Sequence, residues 1–339
     1  MKNITISKEN ESKRLNRFLF SYFGNTSESF IYKMLRKKNI VLNDKKASGS
    51  EILKEGDIIS VYFSDETFDK FKSSYDDRFD NIKFDNKNVL NKEDIVFEDE
   101  NIIVINKKKG ILSQKSQKDD ISINEMTLNY MYLNKEIDGE KLKNFVPSVL
   151  NRLDRNTSGL IIFGKNYKVS KLISLMFAEN KIERYYVALC YFDAKCAFSG
   201  KEDVIVSSDY IKDENENKAC LSNTKFISEN EIEKEIKNNK IVTRFKIINS
   251  SSTSSKIEAK LETGKSHQIR AQLFNLNLPI IGETKYINMN DDALNKIKNE
   301  HYKNINGQLL CASKIIFGNI EDSEFNYLSG KIFSITPNF

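Results

Sequence analysis

Residues 151–163 constrain this chain more than any other stretch. They read Asn151-Arg152-Leu153-Asp154-Arg155-Asn156-Thr157-Ser158-Gly159-Leu160-Ile161-Ile162-Phe163. A carboxylate stands between two arginines, a Thr-Ser-Gly turn follows, and four apolar residues then predict a buried strand. An arginine on either side favours the ionised form of Asp154. A charged carboxylate beside a core strand must be partnered, and such positions are often functional. A plain ion-pair loop at the mouth of a sheet would carry the same residues, so this stretch alone leaves the two readings level.

The rest of the chain decides what surrounds it. With 339 residues there is room for two domains and a sizeable core. The formal net charge of +5 does not by itself demand a nucleic-acid partner; the distribution of charge matters more. No apolar run approaches the length of a membrane span, and the N-terminal MKNITISKEN lacks the apolar core of a signal peptide, so a cytoplasmic location with no membrane partner is expected. Cys190, Cys196, Cys220 and Cys311 form no Cys-x-x-Cys pair and are expected to be reduced and buried. His267 and His301 are far apart without a ligating neighbour, so no metal site is expected. Gly264-Lys265-Ser266 resembles the end of a P-loop, but Ala259 stands where the first glycine is needed, which excludes that motif.

Along the chain, Phe18, Leu19 and Tyr22 predict a first helix that Gly24 can end. Asn25 can cap a second helix, with Glu28 as its reciprocal partner. That helix carries Phe30, Ile31, Met34 and Leu35 on one face and Lys33, Arg36, Lys37 and Lys38 elsewhere. Residues 40–46 read as strand, turn, strand, and 58–63 as a further strand. Residues 64–93 are charged and weakly hydrophobic, which predicts a linker whose isolated aromatics can dock on a domain. Beyond it, 95–105 read as a hairpin, 122–132 as a helix, and Val169, Leu172, Ile173 and Met176 as an amphipathic helix. Residues 184–190 predict a strand, 196–240 peripheral hairpins and a loop, and 242–261 another hairpin. Arg270 then falls in the first turn of a helix, where the dipole is already positive, so it needs an anion. Many strands and few helices imply an α+β fold with a largely antiparallel sheet.

Two sets of residues carry resemblances. Arg14-Leu15, the basic helix over 27–38, Val41-Leu42-Asn43 and Gly56-Asp57-Ile58-Ile59 resemble the alpha-L RNA-binding domain first seen in the S-four ribosomal protein. Its cationic helix face suits phosphate contacts. Arg152 to Gly159, Arg184-x-Tyr186 and Thr263 to Arg270, in that order, resemble the RluA family of RNA pseudouridine synthases. The family's central motif reads His-Arg-Leu-Asp-Arg-x-Thr-Ser-Gly, and here Asn151 replaces the histidine. Lys265 and Ser266 depart mildly from its Thr-Gly-Arg-Thr-His-Gln-Ile-Arg motif. Residues 278–283 partly match a Gly-x-Pro-Ile-x-Gly-Asp segment, and 107–110 match an early Lys-Pro-x-Gly turn without its proline.

The resemblance implies an α+β synthase fold that isomerises uridine to pseudouridine in RNA, without cofactor or metal. Large-subunit (23S) ribosomal RNA is the expected substrate and a monomer the expected state. Asp154 would be the carboxylate at the ribose or base, as nucleophile or as base at the sugar. Arg270 would pair with it. Tyr186 would stack on the target base and take the C5 proton. Arg152 would fill the gap left by the flipped uridine, and Lys33, Arg36 and Lys37 would contact RNA. The expected organisation is an alpha-L domain over 11–63, a linker over 64–93 and a synthase domain over 94–339. The competing readings are a non-catalytic RNA-binding or ribosome-assembly protein on the same fold, and a synthase acting on transfer RNA.

Overall fold

In the computed structural model, residues 1–7, 10–24, 26–68, 71, 87–117, 119–138, 142, 145–288 and 290–339 are described. The N-terminal elements are β1 (Lys2–Thr5), α1 (Leu15–Tyr22), α2 (Glu28–Arg36), β2 (Ile40–Leu42), β3 (Lys45–Lys46) and β4 (Ile58–Val61). The four strands pair in the order β1-β4-β2-β3, every neighbour antiparallel. Asn43 and Asp44 both take positive φ between β2 and β3, as a two-residue hairpin with a right-handed twist requires. The predicted cap Asn25 lies outside the described residues; the N-cap of α2 is Ser27, whose hydroxyl accepts from the Phe30 amide. Ile31, Met34 and Leu35 bury the apolar face of α2 against Leu15, Leu19 and Phe23. Phe68 belongs to the same core and Phe71 packs against it, so aromatics from the polar stretch dock here.

The remaining strands build one eleven-stranded sheet. They are β5 (Ile95–Glu98), β6 (Ile102–Lys107), β7 (Ser148–Val149), β8 (Ser158–Gly164), β9 (Ile182–Tyr191), β10 (Asp203–Asp213), β11 (Lys218–Ile227), β12 (Ile241–Ser250), β13 (Ser254–Leu261), β14 (Leu310–Phe317) and β15 (Ile332–Ser334). The main path runs β11-β10-β12-β13-β9-β14-β8-β6-β5, with β15 beside β14 and β7 beside β8. Among the described strands only β14 and β8 pair in parallel, so the sheet is largely antiparallel as expected. The run 160–163 sits fully buried within it, with alternate residues facing two different cores. The helices are α3 (Ile123–Leu133), α4 (Tyr167–Ala178), α5 (Ala194–Ala197), α6 (Ile232–Lys237), α7 (Gln268–Asn275) and α8 (Asp292–His301). No described helix is long and apolar enough to cross a membrane.

Three expectations need correction. Residues 196–240 form the expected hairpin, β10 and β11, with β11 at the edge of the sheet, but β10 is eleven residues long and lies inside it between β11 and β12. A strand near Val204-Ile205 is legible in the sequence, but polar residues such as Ser207 and Ser208, fully buried there, hid its length from a hydrophobic pattern. Ser207 satisfies its hydroxyl on Glu235 and Ser208 its own on Thr224. Cys196 and Cys220 are exposed; only Cys190 and Cys311 are buried thiols. Helix α8 had no counterpart in the sequence reading, since its single buried side chain, Leu294, gives no periodic stripe.

Candidate active site

The loop between β7 and β8 carries Asp154 and is clamped from several directions. The Ser113 hydroxyl donates to the Leu153 carbonyl at 2.7 Å and accepts from the Leu153 amide at 2.9 Å. Asn151 accepts from the Ile162 amide at 2.8 Å and donates to the Leu160 carbonyl at 3.2 Å, so this residue splices the loop onto the edge of β8. The Arg155 carbonyl receives the Gly110 amide and the Lys107 ammonium, while its Nε donates to the Gly110 carbonyl. Arg155 therefore ties the loop to the 107–110 turn. Lys107 is fully buried and also reaches the carbonyls of Lys108 and Ile111; burial pulls its pKa down to about 8, against the opposing pull of the Asp154 charge.

Gly159 closes the motif for a steric reason. Its φ is +116°, and a Cβ there would lie 2.3 Å from the Ala312 carbonyl oxygen of β14. Only glycine lets β8 meet β14 in parallel directly behind the Asp154 loop.

Arg270 stands in the first turn of α7, and the anion it needed is present twice over. Nη1 donates to Asp154 Oδ2 at 2.7 Å, while Nε and Nη2 grip Glu283 at 2.7 and 2.8 Å. Arg270 is 6 % exposed, and Tyr286 lies under the guanidinium with its ring centroid 5.2 Å away. Glu283 is also buried, with backbone amides of Thr284 and Lys285 on its Oε1. Burial opposes both charges, but the paired hydrogen bonds prevail: the Arg270 pKa is raised and that of Glu283 is lowered. Asp154 keeps nearly a third of its side chain in solvent, so the second carboxylate faces outward while the first is sealed. Glu283 matches the last position of a partly recognised segment and its role went unread; the surplus of positive charge at a helix start was the signal.

His267 is the left-handed N-cap of α7, with φ of +57°. Its Nδ1 lies 2.9 Å from the Tyr286 hydroxyl, and its Nε2 3.8 Å from Asp154 Oδ2. The Tyr286 oxygen also accepts from the Ala219 amide; in the tautomer where its hydroxyl donates to Nδ1, the histidine proton sits on Nε2, toward Asp154. Burial lowers the His267 pKa, so the ring is neutral at neutral pH. This histidine, read from sequence as structural, borders the carboxylate.

On β9, Tyr186 lies between Ala259 of β13 and Ala312 of β14, small neighbours on both sides. Burial, reinforced by the Asp154 charge and opposed by Arg184, raises its pKa, so the phenol is protonated at neutral pH. Asp154, in the loop before β8, and Arg270, in the first turn of α7, thus meet directly, while Tyr186 stands mid-way along β9.

Residues 101–275 match the family model described as RNA pseudouridylate synthase. An RNA pseudouridine synthase of Mycoplasma capricolum is 32 % identical over 100 % of this chain and 99 % of its own length. The ribosomal large subunit pseudouridine synthase C of Rickettsia bellii is 30 % identical over 91 % of this chain and 92 % of its own. A Mycoplasma genitalium RNA pseudouridine synthase is 30 % identical over 96 % and 91 %. The chain belongs to the RNA pseudouridine synthase family. It is an enzyme that isomerises uridine in RNA, and the RluA-type motifs read from sequence are the residues that assemble this site.

In this synthase Arg152 is exposed beside the carboxylate loop. Lys33, Arg36 and Lys37 are all exposed on α2 and form no ion pair among the described residues.

Proposed function

We propose that the synthase modifies large-subunit ribosomal RNA, with Asp154 as the reacting carboxylate. The observation that carries the Asp154 assignment is the division of labour at Arg270. Two of its nitrogens are held by buried Glu283, and the third presents one charge-assisted hydrogen bond to Asp154. The carboxylate is thereby oriented by a charge-assisted hydrogen bond while remaining open to solvent. Isomerisation breaks the bond from N1 to the ribose, turns the base, joins C5 to the sugar and exchanges the C5 proton for one on N1. An ionised carboxylate serves the sugar as nucleophile or as base, and the fixed geometry supplies it in either case.

Tyr186 would form the platform for the flipped base, and Arg152 would occupy the space the base leaves. Tyr186 would also take the C5 proton late in the reaction, as the family resemblance implies. Residues 11–63 would act as an alpha-L RNA-binding domain, with Lys33, Arg36 and Lys37 on phosphates, joined through 64–93 to the synthase domain over 94–339. The ribosomal target rests on the large-subunit synthase of Rickettsia bellii, which aligns with nearly all of this chain. Mapping pseudouridines in ribosomal and transfer RNA with and without the gene tests it. Loss at discrete large-subunit positions is expected; loss confined to transfer RNA would overturn the ribosomal assignment.

A further inference from the structure

Arg184 precedes Tyr186 by two residues on β9 and therefore projects from the same face of the strand. Its guanidinium is pressed against the backbone of Gly264: a Cβ on that glycine would lie 2.5 Å from Nη1. The Phe177 ring lies 5.7 Å from its Cζ. Gly264, the glycine of the rejected P-loop match, leaves room for this arginine. Arg270 and Arg244 each hold two carboxylates, whereas Arg184 forms no ion pair among the described residues, and its Nε is buried without a hydrogen-bond partner. The nearest acid in sequence, Glu183, is taken by Lys260 and the Tyr185 hydroxyl.

The arginine lines a cleft of about 490 Å³ together with Phe177, Asn239, Lys240, Gly264 and Lys265. Lys240 is committed to Glu235 and Asp209, at 3.2 and 3.6 Å. Lys265 is exposed and makes no ion pair among the described residues. The cleft thus offers one planar fork and one mobile ammonium without acidic partners. Arg184, on the wall of the cleft, stands two residues before Tyr186 on the same face of β9, so the cleft lies one step along the strand from the proposed base platform. A partly desolvated guanidinium requires an anion, and its fork fits a phosphate.

We infer that this cleft holds one backbone phosphate of the RNA strand flanking the flipped uridine, with Arg184 as the fork and Lys265 as the second cation. The inference rests on the RNA synthase assignment. It gives the strand an anchor beside the base platform, so that the ribose is presented to Asp154 in a fixed register.

The test uses an RNA transcript in which the wild-type enzyme forms pseudouridine, made in versions that carry a single uncharged methylphosphonate linkage at successive positions around the target. For Arg184→Gln, KM should rise about ten- to hundredfold, with the loss in KM rather than kcat, and the slope of log affinity against log salt should fall by about 1. Lys265→Gln should lower the same slope while perturbing no buried contact. One methylphosphonate position should weaken the wild type and have no further effect on Arg184→Gln. If every neutral linkage weakens both proteins equally, or if the Arg184→Gln loss lies wholly in kcat, Arg184 supports Tyr186 instead and the phosphate site is wrong. A wild-type protein that converts no uridine in any RNA would overturn the synthase assignment and this inference together.

Discussion

At the scale of single residues, the site is governed by a charge count around Arg270. One guanidinium serves two carboxylates, and the two are unequal: Glu283 is sealed, Asp154 is open. Glu283→Ala would leave a buried cation with a single partner. It should cost about 3–5 kcal/mol of stability in denaturant unfolding, together with activity, because removing one member of a buried pair strands the other. Glu283→Asp, which restores the residue of the family segment, should keep most of both. His267 gives a pH dependence of definite sign. Its folded pKa lies below the ordinary 6.5, so just below pH 6.5 the unfolded chain binds the proton and the folded chain does not. Stability should therefore fall as pH drops from about 6.5 toward the folded value. Thermal melting between pH 7.5 and 5.5 should show that loss in the wild type and less of it in His267→Gln. An equal loss in both proteins would place the proton uptake elsewhere. That Arg270 needs an anion was legible from its place at a helix start; that Asp154 supplies it came only from the family resemblance. Glu283 was not legible, because a lone glutamate after a glycine looks like any turn residue.

At the scale of elements, the chain reads best where one face of an element is buried. The helix over 167–178 and the strand at 160–163 follow directly from their apolar spacing, and each lies where it was expected. Strand β10 passes the same test only near Val204-Ile205, because Ser207 and Ser208 fill buried positions through hydrogen bonds rather than apolar contact. Close approach of backbones is equally silent in a hydrophobic pattern. Gly159 marks such a contact, since β14 leaves no space for a Cβ and φ is +116°. Gly159→Ala should destabilise the fold by about 3 kcal/mol or more, adding steric overlap to backbone strain. Equilibrium unfolding measures it, and a change under about 1 kcal/mol would mean that β8 and β14 separate easily.

At the scale of the whole molecule, a small sheet with its own core carries an uncommitted cationic helix, and a large antiparallel sheet carries the carboxylate site. Lys33, Arg36 and Lys37 sit on a helix whose opposite face is core, so replacing them should leave folding intact. The triple change to glutamine should weaken RNA binding at every sequence tested and lower the salt slope by about 2–3, with pseudouridine still forming at saturating enzyme. A salt slope equal to that of the wild type would remove α2 from the RNA interface. Between the two parts, low hydrophobicity and high charge read 64–93 as a linker, and no periodic pattern there places further elements.

The most direct measurement compares Asp154→Asn with the wild type on the same RNA. The substitution keeps the size of the side chain and removes its charge, and Glu283 still holds Arg270 by two nitrogens, so the fold should survive. Pseudouridine formation should fall by at least about 10³-fold in single-turnover assays, while the RNA dissociation constant stays within about threefold. Activity within tenfold of the wild type, in a folded variant that binds RNA normally, would contradict Asp154 as the reacting carboxylate.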